Sequence, residues 1–158
     1  MDMSENKELI SVLNDLIRIN HDRTKGYEKA VEELKPTDVD LKTMFTNMAT
    51  TSARFSSELK VQVAQLGGSP AEDTTQSGKI YRLWMDIRAS VSDHDRKSVL
   101  ELCEFGEDTA LKAYNAALES EAEIPASVRQ VIMDQQSNIQ TGHDLVKRYR
   151  DMHVAVEH

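Results

Sequence analysis

The chain has 158 residues, 39% of them hydrophobic and 29% charged, with a formal net charge of −8 at pH 7. That is long enough for one domain with a real core and too hydrophobic for a disordered segment. The acidic balance repels phosphate backbones and anionic lipid, so neither a nucleic acid nor a membrane is expected as a partner.

One cysteine, Cys103, cannot make an internal disulfide, and it stands beside seven methionines. Both fit a reducing compartment. The opening "MDMSENKELI" lacks the basic and apolar regions of a secretion signal. No apolar run approaches the roughly 20 residues a membrane span needs. A cytoplasmic protein is expected.

The first predicted helix covers about residues 5–34. Leu9, Leu13, Leu16, Ile17, Tyr27, Val31 and Leu34 recur at helical spacing along one face. "KPTDVD" then breaks it, and Asp38 is a suitable N-cap for the next helix. That helix covers about 39–66, with Leu41, Met44, Phe45, Met48, Phe55, Leu59, Val63 and Leu66 inward. "GGSP" ends it, with Gly67 in the left-handed C-terminal position.

"GGSPAEDTTQSGK" reads as loop, and residues 79–91 as a short helix whose sticky face is Ile80, Leu83, Trp84 and Ile87. A third long helix is predicted over 93–120, with Val99, Leu100, Cys103, Ala110, Leu111, Tyr114 and Leu118 inward. After "EAEIPAS", Ser127 is placed to cap the fourth, over 127–152, whose stripe is Val128, Ile132, Ile139, Val146 and Tyr149. Short breaks after helices one and three force antiparallel neighbours, and the long middle connection lets helices two and three run parallel. The whole chain, 1–158, reads as a single all-α domain, a ferritin-like four-helix bundle with a long crossover holding a short helix.

Glycine-rich phosphate loops, a nucleophile elbow and paired CxxC motifs are absent from the sequence. What stands out is polarity on inward faces. In "FGEDTALKAYNAAL" Glu107 interrupts an apolar stripe. Seven residues before Tyr114 sits Glu107, and seven before Tyr27 sits Asn20, as in a weak internal repeat of two helical hairpins. Ser52, with Thr51, interrupts helix two, and Gln136 and His143 flank Ile139 in helix four.

The stretches "LNDLIRINHDRTKGYEKA", "AQLGGSP", "RLWMDIRA", "CEFGEDTALKAY" and "IQTGHD" carry a resemblance over about residues 8–151. The chain resembles a bacterial ferritin-like four-helix-bundle family of unknown function, distantly related to rubrerythrins and to YciE/YciF-like stress proteins. Ferritin-like di-iron proteins take a glutamate from helices one and three and a Glu-x-x-His from helices two and four. Carried over, those positions are Asn20, Ser52 with Phe55, Glu107, and Gln140 with His143. Two of the six ligands remain, Glu107 and His143, and Asn, Ser and Gln cannot supply the charge that balances two divalent ions.

The expectation is therefore a core polar layer of Asn20, Ser52, Glu107, Gln140, His143, Tyr27 and Tyr114. In it Glu107 pairs with His143, the tyrosine hydroxyls bond across the bundle, and there is no catalytic residue or bound cofactor. One alternative turns Glu107 toward a helix boundary, where it is solvated; another places a single iron or other divalent metal on Glu107 and His143, with Asp22 as a further candidate ligand. His21 and Asp22 otherwise read as a solvated face. The preferred function is a non-enzymatic, stress-associated bundle working as a homodimer or higher homo-oligomer, or through a protein partner. An iron or manganese oxidase or iron-handling protein using Glu107 and His143 is the alternative, and a small-ligand carrier the second.

Overall fold

The computed structural model describes residues 3–73 and 96–157. Four helices account for most of them: α1 (Met3–Glu33), α2 (Val39–Gln65), α3 (Arg96–Leu118) and α4 (Ala126–Glu157). The short helix expected over 79–91, with Ile80, Leu83, Trp84 and Ile87, lies outside the described residues, as does the expected start of α3 at Asp93.

Two helix starts differ from the sequence reading. Asp38 occupies the N-cap position of α2 but makes no side-chain cap. Its carboxylate instead takes Arg96 of α3 at 3.1 Å, a charge-assisted bond that outcompetes a neutral backbone N–H. Ser127 lies inside α4, because the Pro125 carbonyl already accepts the N–H of Arg129 at 2.9 Å. The end of α2 is a left-handed closure: Gly67 has φ +83°, its N–H donates to Ala64, and the Gly68 N–H donates to Val63, both at 3.0 Å.

The ends fix the topology. Arg96, at the start of α3, bonds Asp38 and Asp40 at the start of α2, so α2 and α3 run the same way. The end of α2 and the start of α3 therefore lie at opposite ends of the bundle, about 40 Å apart. Residues 69–73 run against α1. Asn14 Nδ2 donates to the Ser69 carbonyl, Asn14 Oδ1 accepts from the Ala71 N–H, and Arg18 and His21 both reach Asp73.

Helix α1 packs on α2, and α3 on α4, as two antiparallel hairpins, while the α1–α3 and α2–α4 seams are narrower. Leu9, Leu13, Ile17, Phe45, Leu59, Val63, Leu100, Cys103, Ile132 and Val146 form a fully buried core between the hairpins. Burying such side chains supplies about 1.5–3 kcal/mol each before chain entropy is subtracted. Among the described residues no helix is long and apolar enough to cross a membrane.

Candidate functional site

The polar layer lies halfway along the bundle, and its centre is Arg23. Arg23 stands three residues after Asn20 and four before Tyr27, so it shares their inward face. Its Nε donates to Glu107 Oε1 at 2.8 Å and its Nη2 to Glu107 Oε2 at 3.1 Å. The two side chains are 2% and 0% exposed. This is a bidentate ion pair taken wholly out of water. Burial alone would lower the Arg23 pKa, but the Glu107 carboxylate more than offsets this and holds it above its usual value.

Around the pair the hydrogen bonds run helix to helix. Arg23 Nη1 donates to Asn20 Oδ1 at 3.2 Å. Asn20 Nδ2 donates to the Leu16 carbonyl and, at 2.7 Å, to the Tyr114 hydroxyl of α3. Tyr114 in turn donates to Gln135 Oε1 of α4 at 2.7 Å, and Gln135 Nε2 reaches the Phe55 carbonyl of α2 at 3.4 Å. All four helices are thereby linked. Tyr27 packs at 5.4 Å on Phe45 and lies under the Arg23 guanidinium, 5.9 Å from its ring centroid. Burial, with Glu107 adding to it, pushes the Tyr27 hydroxyl well above its usual pKa. Burial likewise raises Tyr114.

Of the residues expected in this layer, Asn20, Glu107, Tyr27 and Tyr114 meet in it. Ser52 is buried, but its hydroxyl is turned back on its own helix to the Met48 carbonyl at 2.8 Å. Gln140 and His143 are not members. Gln140 is exposed and bonds Asp144 at 3.0 Å. His143 places Nε2 2.7 Å from Asp108 and Nδ1 3.1 Å from Asp144, on the outer α3–α4 seam. The partner of Glu107 is therefore Arg23, not His143.

The cause is one residue of register. Tyr27 and Tyr114 are 87 residues apart, and so are the first residues of α2 and α4, Val39 and Ala126. In that repeat the counterparts of Ser52 and Phe55 are Ile139 and Gly142. Both face inward: Ile139 is fully buried, and a Cβ on Gly142 would lie 3.4 Å from Glu107 Oε2. Gln140 and His143 follow them by one position, a 100° turn of the helix.

Arg23 and Gln135 were not singled out in the sequence, although both fall on their helices' inward stripes. Gln136, which was, bonds Asn115 instead. Asp22, read as solvated, is fully buried.

A di-iron centre does not fit these residues. The one carboxylate shown in the layer's hydrogen-bond network is held through both oxygens by an arginine, and Asn20, Ser52, Ile139 and Gly142 offer no anionic ligand at the neighbouring positions. Among the described residues no group of three or more His, Cys, Asp or Glu is arranged to hold a metal ion.

With this geometry in hand, comparison with known proteins gives three findings. The model of a family described as Domain of unknown function (DUF2383) matches residues 8–120, reaching from α1 past the end of α3. No curated protein matches the sequence. Among solved structures, the chain is similar to a phenylalanine-to-glutamate mutant of Mycobacterium smegmatis Dps1. The TM-score is 0.81 at 11% identity, over 95% of this chain and 99% of that one. At that identity the likeness concerns the fold alone, a ferritin-like four-helix bundle.

Proposed function

This chain belongs to the family described as Domain of unknown function (DUF2383), and we propose that it is a non-enzymatic ferritin-like bundle with a degenerate di-iron site. In this reading it works by self-association or by binding a protein partner, in the manner of the stress-associated bundles its sequence resembles. One observation carries the reading: the Arg23 guanidinium sits on both oxygens of Glu107. The cation that balances the central carboxylate is part of the chain. A metal would have to displace that arginine and strand its charge in the core, at a cost of several kcal/mol.

Function then belongs to the outside of the bundle. Phe105, 54% exposed, and Met133, 47% exposed, are large apolar side chains on the outer faces of α3 and α4. They are the kind of residue an oligomer contact covers.

The test is metal content after anaerobic incubation with Fe(II), Mn(II) or Zn(II) and desalting, with Glu107→Ala and His143→Ala run alongside. The expected result is no retained metal in any of the three proteins. Sedimentation is expected to show a species larger than the 17.8 kDa chain. Near-stoichiometric metal that disappears in both variants would overturn the reading in favour of an iron or manganese oxidase. A strict monomer at high concentration would remove self-association.

A further inference from the structure

The α2–α4 seam opens into a groove of about 390 Å³, within the size range of small-molecule sites. Its walls are apolar: Met44 and Met48 from α2, Leu145 and Tyr149 from α4. Its rim carries neutral polar groups, Asn47 and Asn138 among them. Its floor is Arg23, 2% exposed, beside Gly142.

Gly142 is what opens the floor. Glycine is unfavourable in the middle of a helix, yet here it lies mid-α4. A Cβ would meet Glu107 Oε2 and the Met48 methyl, both at 3.4 Å. A longer side chain would fill the space above them. In the first hairpin the equivalent position is Phe55, a ring buried to 3% exposure that fills its half of the core. The repeat is closed on one side and open on the other.

The charges select the occupant. Among the described residues two charged side chains line the groove, and each is already paired. Arg23 is held by Glu107, and Asp40, at the end near Tyr149, is held by Arg96 at 2.6 Å. An anion entering here would find an arginine whose charge Glu107 already balances, and a cation would find Asp40 already balanced by Arg96. Glu107 and Asn20 take three of the five Arg23 N–H groups. One N–H on each terminal nitrogen remains as a donor for an oxygen in the groove that Arg23 lines.

We propose that this groove binds an uncharged apolar molecule carrying a carbonyl oxygen, with the oxygen on a remaining Arg23 N–H and the apolar body between Met44, Met48 and Leu145. The inference goes beyond the proposed function and can fail independently of it. A strict monomer that still bound such a molecule would remove self-association and leave the groove standing.

The probes are acetylnaphthalene, naphthalene and naphthoate, titrated by fluorescence against the full chain. Acetylnaphthalene is expected to saturate one site, with naphthalene and naphthoate each at least ~10-fold weaker for want of the acceptor or by reason of the charge. Gly142→Leu, filling the floor, and Leu145→Trp, narrowing the wall, are each expected to weaken acetylnaphthalene at least ~10-fold with helical circular dichroism unchanged. Amide shifts on the unaltered protein, confined to 44–48 and 141–149, give a readout that does not depend on the variants folding. Equal affinity for all three probes, no saturable binding, or shifts spread elsewhere would overturn the proposal.

Discussion

Removing one member of the Arg23–Glu107 pair is the sharpest perturbation the structure offers. The guanidinium and carboxylate are 2% and 0% exposed and joined by two bonds. Arg23→Met leaves Glu107 as an uncompensated anion in the core. Glu107→Leu leaves the guanidinium bonded to the neutral Asn20 amide, with its charge unbalanced. Each single change is expected to cost about 3–5 kcal/mol, against a total stability of about 5–15 kcal/mol for a domain of this kind. At this chain length that corresponds to a Tm lower by roughly 6–20 °C. The double variant replaces the pair with apolar groups of similar volume and removes both desolvation costs, so it is expected within about 2 kcal/mol of the parent. Urea unfolding followed by circular dichroism gives all four corners of the cycle, with an expected coupling of at least ~3 kcal/mol. Singles that cost less than about 1 kcal/mol, or a double equal to their sum, would mean the pair is not made in solution.

Tyr27 and Tyr114 are held protonated by burial, with Glu107 adding to the effect at Tyr27. Their folded pKa values lie above the unfolded value of about 10, so their contribution is intact below that pH and is lost as pH rises further, at about 1.4 kcal/mol per pH unit for each. Their phenolate absorbance is expected to appear together with loss of helical signal; ionisation of either in a still-folded chain would refute this. Tyr114→Phe removes the hydroxyl that joins Asn20 to Gln135 and is expected to cost about 1–3 kcal/mol in urea unfolding. Gly67→Ala meets no atom within 4 Å but keeps φ +83°, so its expected cost is backbone strain alone, about 1–2 kcal/mol.

The bundle was legible because its signals are local and repeated. The Leu9, Leu13, Leu16 and Ile17 spacing specifies an inward face, and the "GGSP" break ends a helix through Gly67, whatever the partner helices do. The Asn14 and Asp73 contacts were not legible: they join residues far apart in sequence through one-off polar bonds that leave no periodic trace. Trp84 and the rest of 79–91 fall outside the described residues.

The site was half legible, and the missing half has a specific cause. Glu107 was visible because a carboxylate in an apolar stripe is conspicuous. Arg23 was not, because arginines on helices usually extend to solvent along their own stems. Its place between Asn20 and Tyr27 on the stripe was nonetheless readable. His143 was misplaced because a metal-ligand pattern was laid on α4 one residue late. A single position in a helix is 100°, enough to exchange the core for the surface. The 87-residue spacing of the two tyrosines contains the right frame, and extending it to α2 and α4 would have found Ile139 and Gly142.

The same spacing shows how the two hairpins diverge. Asn20 crosses to Tyr114, and its counterpart Glu107 acts in return on Tyr27, so the two halves keep one reciprocal contact across the α1–α3 seam. What breaks the symmetry is Arg23, whose counterpart in α3 is the small, fully buried Ala110. One half of the repeat supplies the cation and the other supplies the carboxylate. A Glu at position 20 would put a second anion beside Glu107. The ion pair thus depends on three positions at once, 20, 23 and 107. This explains why it cannot be read from any one helix and why single substitutions there are expected to cost far more than concerted ones.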